Sequence, residues 1–566
     1  MAGGLLNIVS VGNNNIFLTG NPSKTFFKVT YAKYTNFGLQ KFRIDYDGSR
    51  DLRLTEPSVF TFKIPRYAEL LMDTYLVLNL PDIWSPIYNP TSDTNFFWSP
   101  YDFKWIRNIG TTMIKEIVIS CGSLTLQKYS GQYLAAMVER DFNTDKKKLF
   151  NKMSGNDPEL YEPENVFSRI NTYPSAFYSG NPAGAEPSIR GRSLYIPINT
   201  WFTLNNGMAF PLVALQYNEL YISVTLRPIQ ELFQVRDVFD NDNNFPYMQP
   251  DLTQSRFQMY RFLQTPPAVS MDSANYQNQV SVWNADIHLM STYCFLSSDE
   301  SKQFALNDQV YLVKDVFEYN FENITGASRV KLNSTGMVSN WMWFLQRNDV
   351  NMRNEWSNYT NFPYKSPPGS LIYYNDFNIT NTLQGFNNSA GLPISGEFPI
   401  DDLNLSINPN DGSITGLTTT GDFNIINHKE ILQTMGILLD GDYRENILTS
   451  GVYNYIEKYT RTPGFAEDGL YCYNFCLNTS PFECQPSGAI NLNKFKNIQL
   501  EITTYVPPLD PSGSSFNVIC DSGGNPIGVR KSNWQLYDYN YNMTLYEERY
   551  NILSFIGGNC GMLYAR

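Results

Sequence analysis

The chain has 566 residues, a formal net charge of −12 at pH 7, and only 17% charged residues against 15% aromatic ones. An acidic molecule of this kind repels DNA and RNA, which excludes a general polyanion binder, and 42% apolar residues exclude extended disorder. With 38 Tyr, 37 Phe, 36 Gly and 32 Pro, the composition suits short strands joined by long loops.

In chain order, residues 1–30 read as an arm. The apolar cluster Leu5–Val11 is too short for a membrane helix and lacks the basic flank of a secretory signal, and Ala2 removes an N-myristoylation site. Met1–Arg43 holds five basic residues and no acid. Within it, FLTGNPSKTFFKVTYAKYTNF (17–37) interleaves Lys24, Lys28 and Lys33 with Phe26, Phe27, Tyr31 and Tyr34. Rings alternating with ammonium groups suit a single-stranded nucleic acid. They suit equally an arm that docks on an acidic protein or headgroup surface.

Residues 31–230 carry repeated period-two patterns: FTFKIP, LLMDTYLVLNLP, IKEIVIS, SLYIPI and ELYISVTL. In the last, Leu220, Ile222, Val224 and Leu226 share one face, as in a sandwich sheet with one buried side. SGQYLAAMVERDF predicts a short helix capped by Ser130. Residues 231–275, with DVFDNDNNFPYMQPDLTQ, read as a linker.

From 276 to 566 the pattern resumes, with strands predicted at ADIHLMSTYCFL, ASRVKL and NIQLEITTYV. SSDESKQFA opens with a capping box, Ser297 and Glu300, and NHKEILQTMGILL predicts a second such helix from Asn427 and Glu430. LYISVTLRPI and LEITTYVPP each run an alternating strand into proline, so the halves read as tandem β domains. The turn-rich stretch at about 345–430 reads as an enlarged, projecting insertion.

Chemistry-bearing patterns are sparse. The two histidines, His288 and His428, stand 140 positions apart, neither at ligand spacing with a second His or Cys. HExxH, GxSxG and GxGxxG do not occur, and GGNPIGVRKS (523–532) places Val529 where a phosphate-loop lysine belongs, so it reads as a turn between strands. Asp401–Asp402 and Asp299–Glu300 are local acid pairs with nothing to set them across a cleft. The seven cysteines (121, 294, 472, 476, 484, 520 and 560) read as reduced thiols, with no CxxC. No catalytic, cofactor or metal site is expected, hence no enzyme.

WMWFLQRNDVNMRNEWSNY (341–359) holds Trp341, Trp343 and Trp356, read as a strand edge with inter-subunit contacts; a sugar platform is the alternative. Asn-x-Ser/Thr sequons at Asn323, Asn333, Asn358, Asn378, Asn387 and Asn404 mark candidate glycan sites on an outward-facing region, with further sequons at Asn478 and Asn542.

Five blocks carry a resemblance across nearly the whole chain. They are the 17–37 segment, LYIPINTWFTLNNGMAFPLVALQYNELYISVTL (194–226), STYCFLSSDESKQFA (291–305), YCYNFCLNTSPFECQPSGAINLNKF (471–495) and YNILSFIGGNCGMLY (550–564). In this order they resemble the major capsid proteins of nucleocytoplasmic large DNA viruses. The resemblance implies an all-β double jelly roll: two tandem eight-stranded antiparallel sandwiches with long loop insertions and a few short helices. It places 291–305 at the start of the second roll.

It further implies a homotrimeric, pseudo-hexagonal capsomer tiling the icosahedral shell of the virion, made and assembled in the host cytoplasm. Inter-strand loops would form the exterior and the arm would face inward, toward neighbouring capsomers, minor capsid proteins or an internal viral membrane, without direct genome binding. A minor capsid-like paralogue, or a jelly roll that binds glycans through its exterior loops, are the alternative readings.

Overall fold

A computed structural model describes residues 2–564 apart from 85–102, 164–186, 237–246, 255–256, 265–275, 280, 363, 366–405, 408–413, 417–428, 507–515, 521–525 and 532–538. Eight strands build the first roll: β1 Phe37–Asp45, β2 Ser58–Lys63, β3 Leu70–Leu80, β4 Ile114–Cys121, β5 Leu124–Tyr129, β6 Arg192–Pro197, β7 Leu220–Leu226 and β8 His288–Leu296. They form two antiparallel sheets, ordered β1-β8-β3-β6 and β2-β7-β4-β5. Alternate residues face one core, Phe60 and Phe62 from β2 meeting Leu76 and Leu78 from β3. The β7 alternation is the predicted one, with Leu220, Ile222, Val224 and Leu226 all buried.

The second roll repeats the plan with β9 Gln309–Ile324, β10 Ala327–Leu332, β11 Met337–Arg347, β12 Leu432–Leu439, β13 Asp442–Thr449, β14 Leu470–Asn474, β15 Ile498–Thr504 and β16 Tyr541–Ile556. Its sheets run β9-β16-β11-β14 and β10-β15-β12-β13, the first roll's order with eight added to every number. The strands that end in LYISVTL and LEITT, β7 and β15, occupy equivalent places in the two rolls. The fold is therefore a double jelly roll with scattered short helices.

Four expectations need correction. The strand at 288–296, assigned from sequence to the second roll, pairs with β1 along its whole length and with β3, so it closes the first roll. Proximity in sequence misleads here because a jelly roll sews its last strand between its first and third. Parts of the 231–275 "linker" also belong to the first half. Phe233–Arg236 bridges Phe103–Trp105 and Tyr247–Met248 in a small third sheet, and Phe233 stacks on Phe103 at 4.7 Å.

The segment after Glu430 is strand β12 rather than helix, pairing β15 on one side and β13 on the other; Asn427 lies outside the described residues. The helix Ser298–Leu306 exists, but the side chain of Ser297 makes no capping bond.

The other predicted helix is as expected. Helix α1, Gly131–Asp141 by residue range, starts at Ser130, whose Oγ accepts from the Tyr133 N–H at 3.4 Å. The same hydroxyl meets Tyr546 Oη at 3.1 Å across the boundary between the rolls. Ser130→Ala should cost about 1 kcal/mol for the cap and also strand a buried phenol, a loss to be read as a lowered denaturation midpoint.

Candidate functional site

Side chains at the boundary between the rolls are buried as deeply as those of their interiors. The main core runs out of the first roll into Val313 and Val316 of β9, Met342 and Phe344 of β11, and Tyr546 of β16. The interior of the second roll is a separate cluster around Trp341, Trp343, Met435, Leu500 and Ile502. Strand β11 therefore serves both: beyond a register shift after Val338, Trp341, Trp343 and Leu345 face the second core while Met342 and Phe344 face the main one.

Helix α1 fills this seam. Spacings of four and three residues align Tyr133, Met137 and Arg140 on one face, and all three are buried. The Arg140 guanidinium, with only 1% of its side chain exposed, lies on Asp141 at 2.6 and 2.9 Å and on Glu548 of β16 at 2.6 Å. It also donates to Asn340 Oδ1 of β11 at 2.8 Å. Asn340 Nδ2 donates to Glu548 at 2.9 Å, Tyr133 Oη donates to it at 3.0 Å, and Thr479 Oγ1 donates to Asp141 at 2.5 Å.

Burial opposes ionisation of Glu548, but the charges of Arg140 and Lys314, with the hydrogen bonds from Asn340 and Arg140, outweigh it and hold the carboxyl at about 2. For Asp141 burial wins over the shared guanidinium and its carboxyl is raised. Removing charges from water costs several kcal/mol per ion, so this cluster fixes geometry more than it adds net stability.

Backbone-directed bonds extend the lock. Asn354 Nδ2 donates to the carbonyls of Gln230 and Phe233, both at 2.8 Å, and Gln127 Nε2 to that of Lys314 at 3.1 Å. The two rolls are joined by hydrogen bonds at many points, and the main core reaches across their boundary.

The arm is the opposite case. Helices at Gly3–Val9 and Asn13–Thr19 bury no residue, and 20–36 has neither helix nor strand. Every candidate there is exposed: Lys24, Lys28, Lys33, and Phe26, Phe27, Tyr31 and Tyr34 at 86%, 98%, 87% and 86%. Lys24 Nζ stands 5.3 Å from the Phe26 ring centroid. The arm therefore carries contiguous exposed aromatic surface.

The tryptophans are corrected. Trp341 and Trp343 are fully buried in the second core, where Trp341 Nε1 donates to Glu547 at 2.6 Å and Trp343 stacks on Tyr471 at 5.9 Å; neither reaches a surface. Trp356 is half-buried against the main core, donates to the Glu231 carbonyl at 3.1 Å and lies under Arg227 at 4.1 Å, a contact within the chain.

Asn358 is also corrected. It is 1% exposed, its Nδ2 donates to the Phe362 carbonyl and its Oδ1 accepts from Thr360, which leaves no room for a sugar. Asn323 and Asn333 are exposed, while Asn378, Asn387 and Asn404 lie outside the described residues. His288 is buried, with Nδ1 at 2.7 Å from the Asp286 carbonyl. Among the described residues, no group of three or more His, Cys, Asp or Glu could hold a metal ion.

The network at Arg140, Asp141, Asn340 and Glu548 escaped the sequence reading. Its only signal is an Arg-Asp pair closing an otherwise apolar helix face.

Two family models divide the chain between them. "Major capsid protein N-terminus" matches residues 25–290 and "Large eukaryotic DNA virus major capsid protein" matches 300–561. The chain belongs to the major capsid proteins of large eukaryotic DNA viruses. The gap between the matches brackets the end of β8, where the first roll closes.

This capsid protein is 23% identical to the major capsid protein of Phaeocystis pouchetii virus, over all of both chains. Its fold is similar to that of a chain of the PBCV-1 virus capsid, with a TM-score of 0.56, 17% identity, and coverage of 96% of this chain and 100% of that one. The Faustovirus major capsid protein gives a TM-score of 0.56 at 10% identity, over 96% and 94%. This chain is a structural component of the virion.

Proposed function

We propose that this capsid protein forms a homotrimer whose six rolls make a pseudo-hexagonal capsomer, and that such capsomers tile an icosahedral outer shell. The observation that carries this reading is the repeated strand order of the two rolls, locked at one angle by the Arg140–Glu548 seam. Three copies around a three-fold axis then present six near-equivalent sides, and closed symmetry stops the assembly at one size.

In this reading the inter-strand loops face outward and the arm faces inward, where Lys24, Lys28, Lys33 and their neighbouring rings meet acidic surfaces of adjoining capsomers and minor capsid proteins, or the headgroups of an internal membrane. The genome is not a partner. Asn323 and Asn333 offer glycans an exposed attachment point.

Purified protein should behave as a particle of about three times 64.9 kDa by light scattering, with a hexagonal outline in projection. A folded monomer that persists at micromolar concentration would overturn the proposal.

A further inference from the structure

After β16 the chain turns back as β17, Asn559–Met562, pairing Cys560 with Phe555. This hairpin belongs to the second roll but docks on the first. The Gly558 carbonyl accepts from the backbone N–H groups of Gln216 at 2.9 Å and Tyr217 at 3.3 Å, and Asn218 Nδ2 donates to Asn559 Oδ1 at 3.1 Å. Gly558 has φ +83°, and a Cβ there would lie 2.9 Å from Gln216, so glycine permits the approach.

The turn that receives the hairpin is itself tied to the end of β4. Cys121 pairs with Leu220, and the Gly122 N–H donates to the Glu219 carbonyl at 2.9 Å. Cys121 and Cys560 thereby come together, with both side chains against the main core.

The two sulfurs differ in access and charge. Cys121 is buried and Cys560 half-buried. The neighbouring Cys560 thiol holds Cys121 below an ordinary thiol against the effect of burial, with Arg66 adding positive charge nearby, while Cys560 itself is raised. Arg66 is fixed there by its Nη2 bond to the Asn218 carbonyl at 2.7 Å. By contrast, burial pushes Cys472 up to about 12, which makes it inert.

We propose that Cys121 and Cys560 form an oxidative modification site, at which a small-molecule disulfide converts the thiol pair into a covalent staple between the C-terminal hairpin and the first roll. The oxidant reaches Cys560. Cys560 gives its proton to solvent, its thiolate attacks one sulfur of the oxidant and breaks the oxidant's S–S bond, and one thiolate leaves. That leaving thiolate takes the proton from Cys121, whose sulfur attacks Cys560 and displaces the second thiolate, which is protonated by solvent. Two protein thiols are oxidised, one disulfide is reduced to two thiols, and a loop of about 440 residues is closed.

The test uses the full-length protein incubated with oxidised glutathione, alkylated, and mapped by peptide mass spectrometry. The expected product joins the Cys121 and Cys560 peptides, migrates faster on a non-reducing gel and reverts with reductant. Exposed Cys484 reports that the oxidant was active. Cys121→Ser should leave Cys560 as a stable glutathione adduct, and Cys560→Ser should leave Cys121 unmodified. The proposal is overturned if the unmutated protein accumulates the Cys560 adduct while Cys121 stays alkylatable, or if Cys484 reacts and neither partner does.

Discussion

Arg140→Leu is expected to destabilise the folded chain by about 3–5 kcal/mol, because it takes the guanidinium from two buried carboxylates and leaves Glu548 with Lys314 at 3.7 Å. The loss falls on the seam, so the denaturation midpoint should drop and the two rolls should lose their common transition. Adding Glu548→Leu to Arg140→Leu should recover part of the loss, since an apolar pair costs less than a lone buried charge. A single-mutant effect below about 1 kcal/mol would mean that the cluster is solvated and does not lock the rolls.

The pH dependence has a definite sign. Glu548 is held at about 2, below the ordinary value of about 4.3. Its contribution is therefore fully present above the ordinary value and is lost as pH falls through about 2. Raised Asp141 works in the opposite sense, so the acid limb belonging to Glu548 is isolated with Glu548→Gln, which should flatten it. An acid limb unchanged by that substitution would remove the ion pair from the account.

For the proposed capsomer, deleting residues 2–30 is expected to leave trimer formation intact and to stop shell assembly. No residue of the two arm helices is buried, so the rolls lose nothing on truncation. The assembled particle loses rings that, in a docked interface, contribute on the order of 2 kcal/mol each. A finer version replaces Phe26, Phe27, Tyr31 and Tyr34 with alanine, which should block assembly at any salt concentration. Replacing Lys24, Lys28 and Lys33 with glutamine should instead slow assembly and weaken its salt dependence. Normal virions from the truncated protein would refute an assembly role for the arm.

The faces of β7 and β15, each buried on one side, were legible in the sequence, whereas the two-sided burial of β11 and β12 was not. β7 and β15 alternate, so their pattern gives both the strand and its face. β11 is buried at ten successive positions, because Trp341 and Trp343 enter the second core while Met342 and Phe344 enter the seam. A two-sided strand shows no period of two, so its tryptophans read as surface anchors when they are core. β12 has the same character, and its Leu432, Met435 and Leu439 spacing imitates a helix.

The seam was invisible for another reason. Arg140 and Glu548 lie 408 positions apart, and nothing local to either says that the other exists. The arm needed no tertiary information, because its basic charge and unpatterned rings already set it apart from both sandwiches.

The place of β8 and β16 has a consequence for synthesis. β1 has one sheet neighbour, β8, and β9 has one, β16. During translation at about 5–20 residues per second, β1 therefore waits tens of seconds for its complement to leave the ribosome. A release factor acting before Tyr541 would yield a polypeptide with an unsealed barrel and open hydrogen-bonding edges, a template for aggregation. Nascent chains of this protein should need chaperone cover until each eighth strand emerges.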